Sequence, residues 1–246
     1  HFSAYLIHDL GLSKGDKVAI QMPNLLQYPV VLFGALRAGM TVVNVNPLYT
    51  SSELKHQLND SDAKVIIVLA NFASTLESIL SETKLKHVLI TQIGDMIGGI
   101  KGNLINFAVK YLKKMIPSFN LPKSIPLTKA LKSGANHMFI QPPIKSSDLA
   151  FLQYTGGTTG VSKGAMLSHA NLVANLLQVN TWMKSGGLKE GAEVYITALP
   201  IYHIFALVAN ILGSVSSGSQ NILITNPRDM AGFVKELKRH KFTILS

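Results

Sequence analysis

The chain has 246 residues, 47% of them hydrophobic and 15% charged, with no cysteine and a formal net charge of +10. So much apolar material can build a core and excludes a disordered chain, while the lack of cysteine excludes a disulfide framework and thiolate metal sites. The excess of 23 Lys and Arg over 13 Asp and Glu favours anions such as nucleotides or acidic lipid headgroups. Nucleic acid is not expected, because zinc-finger spacing and basic runs interleaved with aromatics are both missing.

Taken in order, residues 1–10 lack the basic start and apolar block of a signal peptide. Residues 17–22 (KVAIQM) read as a strand. Residues 25–38 read as a helix starting near Asn24 and stopping at Gly39, and 41–45 as a second strand. A polar helix is expected over 51–59, with Ser51 or Ser52 as N-cap. Strands at 64–69 (KVIIVL) and 87–91 (HVLIT) flank a helix at 73–81. This alternation predicts an α/β fold of mostly parallel sheets flanked by helices.

The middle differs. Between 94 and 143 no clear strand is visible, and Pro117, Pro122, Pro126, Pro142 and Pro143 break up the stretch. One helix stands out over 100–115, with Ile100, Leu104, Phe107, Ala108, Tyr111, Leu112 and Met115 at helical spacing and Lys101, Lys110, Lys113 and Lys114 beside them. Such a helix can lie on an anionic membrane surface. The docked reading is preferred, with the apolar stripe on the parent domain and the lysines in water, because stripes of this period are usually core.

Alternation then resumes. Residues 148–154 (DLAFLQY) form a strand, followed by a Gly/Thr loop and a helix over 168–182 with Ser168 as N-cap. Strands follow at 193–199, 221–225 and 242–245, separated by an apolar helix at 204–215 and a helix at 229–240. The apolar stretch 199–215 is interrupted by Pro200, His203 and Asn210 and is shorter than the ~20 residues needed to span a bilayer, so it reads as a buried helix. The expected organisation is a first α/β part (1–93), an irregular insertion carrying the basic helix (94–147) and a second α/β part (148–246).

The loop carries the chemistry: Thr155, Gly156, Gly157, Thr158, Thr159, Gly160, Val161, Ser162, Lys163 and Gly164. Four glycines let backbone N–H groups crowd around an anion, three threonines add hydroxyl donors, and the lysine adds a mobile charge. Those are the parts a polyphosphate requires. It is not a Walker A loop, since Ser162 rather than Gly precedes the lysine and Gly164 follows it.

From Tyr154 through Gly164 and on into Ala165, the segment resembles the phosphate-binding signature of adenylate-forming enzymes, and its TGGTTG core looks most like long-chain fatty-acid–CoA ligases. Residues 199–206 (LPIYHIFA) are similar to that family's LPxYH motif, and 39–52 and 221–230 also look like the family. The resemblance implies that Thr155, Thr158, Thr159 and Lys163 bind the phosphates of ATP while Gly156, Gly157, Gly160 and Gly164 shape the loop. Thr158, Thr159 and Lys163 would be the catalytic set. Ser162 stands where many relatives have proline. Tyr202, His203 and Phe205 would line the acyl or adenylate pocket, and His169 is left as a surface or capping residue.

The implied reaction joins a long-chain fatty acid to CoA through an acyl-adenylate, with ATP and Mg2+. The Thr155 hydroxyl is a candidate magnesium contact, and no side chain is assigned as a resident metal ligand. The expected setting is cytoplasmic, with a peripheral contact on the inner face of a membrane left open by the basic helix. The alternatives are an aryl-CoA ligase or peptide-synthetase-type adenylation, and a non-catalytic anion- or membrane-binding module. The family's later Y-G-x-T-E and T-G-D motifs and its small carboxy-terminal domain do not occur in these residues. The chain is therefore expected to be the amino-terminal part of an adenylating enzyme, unable to turn over alone.

Overall fold

The computed structural model describes residues 1–155 and 162–246. Two compact units divide the chain, one made of His1–Met22 and Leu26–Leu167, the other of Pro23–Leu25 and Ser168–Ser246.

The first unit is built on seven strands: β1 (Lys17–Gln21), β2 (Thr41–Asn44), β3 (Ala63–Leu69), β4 (His87–Thr91), β5 (Ile125–Pro126), β6 (Leu149–Thr155) and β7 (Lys163–Ser168). Their order is β5-β4-β3-β1-β2-β6-β7, and every pairing from β5 to β6 is parallel. The central strands are apolar almost throughout because both faces are covered. Ile66 and Val68 pack with Leu54, Leu58 and Leu76, and alternation turns the equally buried Val65 and Ile67 to the opposite face.

Among the described residues the first unit has six α-helices: α1 (Phe2–His8), α2 (Gln27–Arg37), α3 (Ser51–Asp60), α4 (Ala73–Glu77), α5 (Gly99–Phe107) and α6 (Leu127–Gly134). Helix α1 packs on α2 and α6, with α2 on β1 and β2 and α6 on β4, while α3 packs on α4 and β3. A buried polar chain ties these layers together at the carboxyl ends of β2 and β6. The Tyr28 hydroxyl donates to Asn44 Oδ1 at 2.6 Å, Asn44 Nδ2 donates to Gln153 Oε1 at 3.0 Å, and Gln57 Nε2 donates to the Asn44 carbonyl at 2.8 Å. Gln153 immediately precedes Tyr154, so this chain fixes where the Gly/Thr segment departs.

Four local expectations change. Helix α2 begins at Gln27 without a side-chain cap, because Asn24 is engaged in the second unit. The cap of α3 is Thr50, which forms a capping box with Glu53, one residue before Ser51. Within the stretch expected to lack strands, Ile125–Pro126 adds the short β5 and α6 follows with Pro126 at its N-cap. Two residues are too few to display an alternation, which is why the strand left no periodic mark.

The fourth change concerns the basic helix. It forms as α5 and runs on through a π-helical turn, Ala108–Leu112. However, the docked side is that of Gly102, Asn106 and Val109, and the stripe expected to be core faces solvent. Close approach of Gly102 to the Gly94 backbone decides the orientation, since a Cβ on either glycine would collide with the other's carbonyl oxygen.

The second unit centres on β8 (Val194–Thr197), with β9 (Gln220–Leu223) and β10 (Ile244–Leu245) parallel on either side. Helix α7 (His169–Ser185) starts at a capping box of Ser168 and Asn171. A helical run follows β8: α8 (Ile204–Ala206), a π-helical turn (Leu207–Leu212) and α9 (Gly213–Ser216). Asp229 caps α10 (Met230–Arg239), accepting from the Gly232 N–H. Among the described residues, no helix is long and apolar enough to cross a membrane.

Candidate functional site

In the first unit, β6 closes at Thr155 and β7 opens at Lys163. The expected phosphate-loop residues Gly156, Gly157, Thr158, Thr159, Gly160 and Val161 lie outside the described residues. Lys163 and Gly164 were expected in a loop but stand on a strand with Ala165, because β7 pairs with β6 at the sheet edge. Thr155, Lys163 and Ala165 are exposed, and Ser162 and Gly164 are half-buried.

Both ends of the segment are held by α3. Tyr154 is buried, and its hydroxyl donates to the Asp60 carboxylate at 2.5 Å. Burial, and then the hydrogen bond and charge of Asp60, push the Tyr154 phenol well above its ordinary range, so it stays a neutral donor. On the far side, His56 Nε2 donates to the Ser162 carbonyl at 3.0 Å. His56 and Asp60 are four residues apart on α3 and so share one helix face. Gly164 is required by the same arrangement, since a Cβ there would lie 2.9 Å and 3.0 Å from two ring carbons of Tyr154. Structure thus brings Tyr154, Gly164 and Asp60 together. The sequence reading missed His56 and Asp60, whose sole signal is the i,i+4 spacing of an imidazole and a carboxylate.

The second constellation lies in the second unit. Asn24, remote in sequence, is 3% exposed and holds the backbone ahead of Tyr202 at three points. Its Nδ2 donates to the carbonyls of Thr197 and Leu199 at 3.0 and 2.9 Å, and its Oδ1 accepts from the Ile201 N–H at 2.9 Å. Thr225 in turn donates its hydroxyl to the Asn24 carbonyl at 3.0 Å. Ile201 is thereby fully buried, while Tyr202 is half-buried and His203 and Phe205 are exposed. Burial raises the Tyr202 phenol, with the Arg228 charge opposing. His203 closes a turn through its N–H to the Pro200 carbonyl and accepts from Leu207 N–H to start α8. The result is a rigid backbone presenting two aromatic rings and an imidazole. His169 is the first residue of α7.

Among the described residues, no group of three or more His, Asp or Glu side chains is placed to hold a metal ion.

A family model described as "AMP-binding enzyme" matches residues 1–246. The long-chain-fatty-acid–CoA ligase of Escherichia coli O157:H7 is 56% identical over 245 residues, a match covering 100% of this chain and 44% of that protein. The Haemophilus influenzae protein of the same name is 50% identical over 247 residues, with 100% and 44% covered. A solved structure of a long-chain-fatty-acid-CoA ligase from Archaeoglobus fulgidus aligns with a TM-score of 0.75 at 26% identity, covering 99% of this chain and 42% of that one. The chain therefore spans less than half the length of these relatives.

Proposed function

This chain belongs to the AMP-binding enzyme family, and on that premise we propose that it contributes the ATP-phosphate loop and part of the acyl pocket of a long-chain fatty-acid–CoA ligase. The observation that carries the reading is the anchoring of residues 155–163 to one sheet at both ends, with Asp60 and His56 gripping the flanks and Lys163 exposed at the exit. A segment rich in Gly and Thr whose flanks are tied at both ends suits a polyphosphate better than a free linker does, because fixed flanks reduce the conformational freedom that binding must remove.

In the proposed reaction a fatty carboxylate attacks the α-phosphorus of ATP, giving acyl-adenylate and pyrophosphate, and the CoA thiol then displaces AMP. Thr155, Thr158, Thr159 and Lys163 hold the β- and γ-phosphates and stabilise the charge that develops on the departing pyrophosphate. Gly156, Gly157, Gly160 and Gly164 let the backbone approach, and the flanking Tyr154, Val161, Ser162 and Ala165 complete the loop. Tyr202, His203 and Phe205 line the acyl or adenylate pocket, braced by Asn24. Magnesium fits as a cation arriving on the nucleotide, since it is usually bound through substrate phosphates and few protein oxygens. Bound there, it would offset phosphate charge. The Thr155 hydroxyl is the side chain we assign nearest to it. The parts 1–93, 94–147 and 148–246 then serve as scaffold, insertion and loop-bearing region, and a cytoplasmic setting supplies ATP and CoA.

The names of the relatives support a long-chain acid over an aryl or amino acid. Acid-dependent exchange of labelled pyrophosphate into ATP, by protein expressed from its whole open reading frame, tests this. Palmitate should drive exchange where benzoate and amino acids do not, and Lys163→Ala should lower it by about 10²- to 10³-fold, the usual effect of losing one preorganised charge. Unchanged exchange in the variant would sink the reading.

A further inference from the structure

We propose that α5 and its π-helical extension form a lipid-docking face by which the protein lies on an anionic membrane surface. Three observations converge on this.

The first is the helix's orientation. Its inward side is small and polar: Gly102 abuts the Gly94 backbone, Asn106 Oδ1 accepts from Gly94 N–H at 2.7 Å, and Asn106 Nδ2 donates to Asp95 at 3.0 Å. Val109, one turn further on, is buried on the same side. The outward side carries Ile100, Leu104, Phe107, Tyr111 and Leu112, with Met115 just past the helix end, each between 50% and 80% exposed. A helix that docks through glycine and asparagine while holding five large apolar side chains in water is inverted relative to an ordinary surface helix.

The second is the charge. Residues 96–147 contain eight lysines and neither Asp nor Glu, so this region carries +8 of the chain's net +10. Four of those lysines, Lys101, Lys110, Lys113 and Lys114, lie on the helical run or just after it. Lys110 Nζ sits 5.1 Å from the centroid of the Tyr111 ring, which in turn lies 5.0 Å from that of Phe107.

The third is the dimension. Fourteen helical residues, 99–112, extend about 21 Å at 1.5 Å per residue, and among the described residues no helix is long and apolar enough to cross a bilayer. The helix therefore suits the interface plane, where an apolar row sinks among acyl chains and lysines meet headgroups. The occupant follows from needing both properties at once. A soluble polyanion would leave the apolar row in water, and an apolar protein groove would leave the lysine field unmatched. An anionic lipid surface satisfies both. The inference does not depend on the reaction assigned above.

Vesicle flotation of protein expressed from its whole open reading frame provides the test. The unmodified protein should float with mixed phosphatidylglycerol–phosphatidylcholine vesicles and be released from them at about 1 M salt. The triple change Lys110→Gln, Lys113→Gln, Lys114→Gln should lower partitioning on the order of 100-fold, at roughly fivefold per lysine. Leu104→Ser with Phe107→Ser should also lower it at unchanged charge. All five positions are exposed, so circular dichroism should be unaltered, and pyrophosphate exchange with acid supplied in solution should stay at its unmodified rate. Three results would overturn the proposal: no flotation of the unmodified protein, flotation indifferent to Leu104 and Phe107, or an apolar change that alters oligomeric state instead of lipid binding.

Discussion

Both units set parallel strands between helices, yet they differ in how completely the helices are covered. In the first unit α2 buries Gln27, Tyr28, Val31, Leu32 and Ala35. In the second, α7 buries only Leu172 in 17 residues, and α10 buries none. Sheet width is one cause: five of seven strands are interior in the first unit, whereas β8 alone is interior in the second. Helix α10 nevertheless has an apolar row, Met230, Phe233, Val234 and Leu237, at the spacing of a helix with a buried face. Amphipathic spacing thus says which face of a helix seeks cover without saying what supplies it, and α5 repeats the lesson within the first unit.

The units also differ in how they hold their motif, and the largest expected effect breaks that contrast in the second. The first unit grips the Gly/Thr segment through two side chains of α3, His56 and Asp60, which reach its two flanks. The second holds 197–201 through Asn24, more than 170 residues away. Asn24→Ala would orphan the buried Ile201 N–H and the Leu199 carbonyl, at about 1–3 kcal/mol for each unsatisfied group. Amide exchange at Tyr195 and Ile196 should accelerate by roughly two decades, with Ile66 and Ile67 in β3 unaffected. Equal acceleration in both sheets would refute a separate anchor.

A smaller effect is expected at the first unit's grip. Gly164→Ala places a methyl group against the Tyr154 ring, which cannot swing away without leaving Asp60. We expect a loss of about 1–3 kcal/mol, typical of overpacking, together with a raised KM for ATP. Thermal melting and initial rates would check both. A lowered Tm with unchanged KM would detach the Tyr154–Asp60 contact from nucleotide binding.

Much of this was legible in the sequence. Strands such as β3 and β4 are apolar and β-branched enough to mark themselves, and Ser168 lies at the helix start where capping chemistry placed it. Three things were not legible. Asn24 looked like a helix start because asparagine favours N-caps, and a long-range amide clamp has the same local signature. Lys163 looked like a loop residue because glycine surrounds it, although pairing to β6 draws it into a strand. The inward face of α5 was misread because Gly102 and Asn106 dock through backbone approach and hydrogen bonds, which hydrophobic periodicity does not register.

The smallest expected effect tests whether the first unit's grip depends on how α3 begins. Thr50 Oγ1 accepts from the Glu53 N–H at 3.4 Å, and Glu53 Oε2 accepts from the Thr50 N–H and hydroxyl at 2.8 and 2.7 Å. These bonds hold the Glu53 carboxyl below its ordinary value. A depressed carboxylate contributes stability that is fully present above the unfolded value of about 4.3 and is lost as pH falls through the lower folded value. Thr50→Ala should therefore cost about 1 kcal/mol at neutral pH, with the gap from the unmodified protein narrowing below about pH 4. Because His56 and Asp60 sit further along the same helix, the variant should also weaken ATP binding slightly, by less than Gly164→Ala does. A gap constant from neutral to acid pH would show that Glu53 takes no part in the cap, leaving Thr50 to start the helix alone.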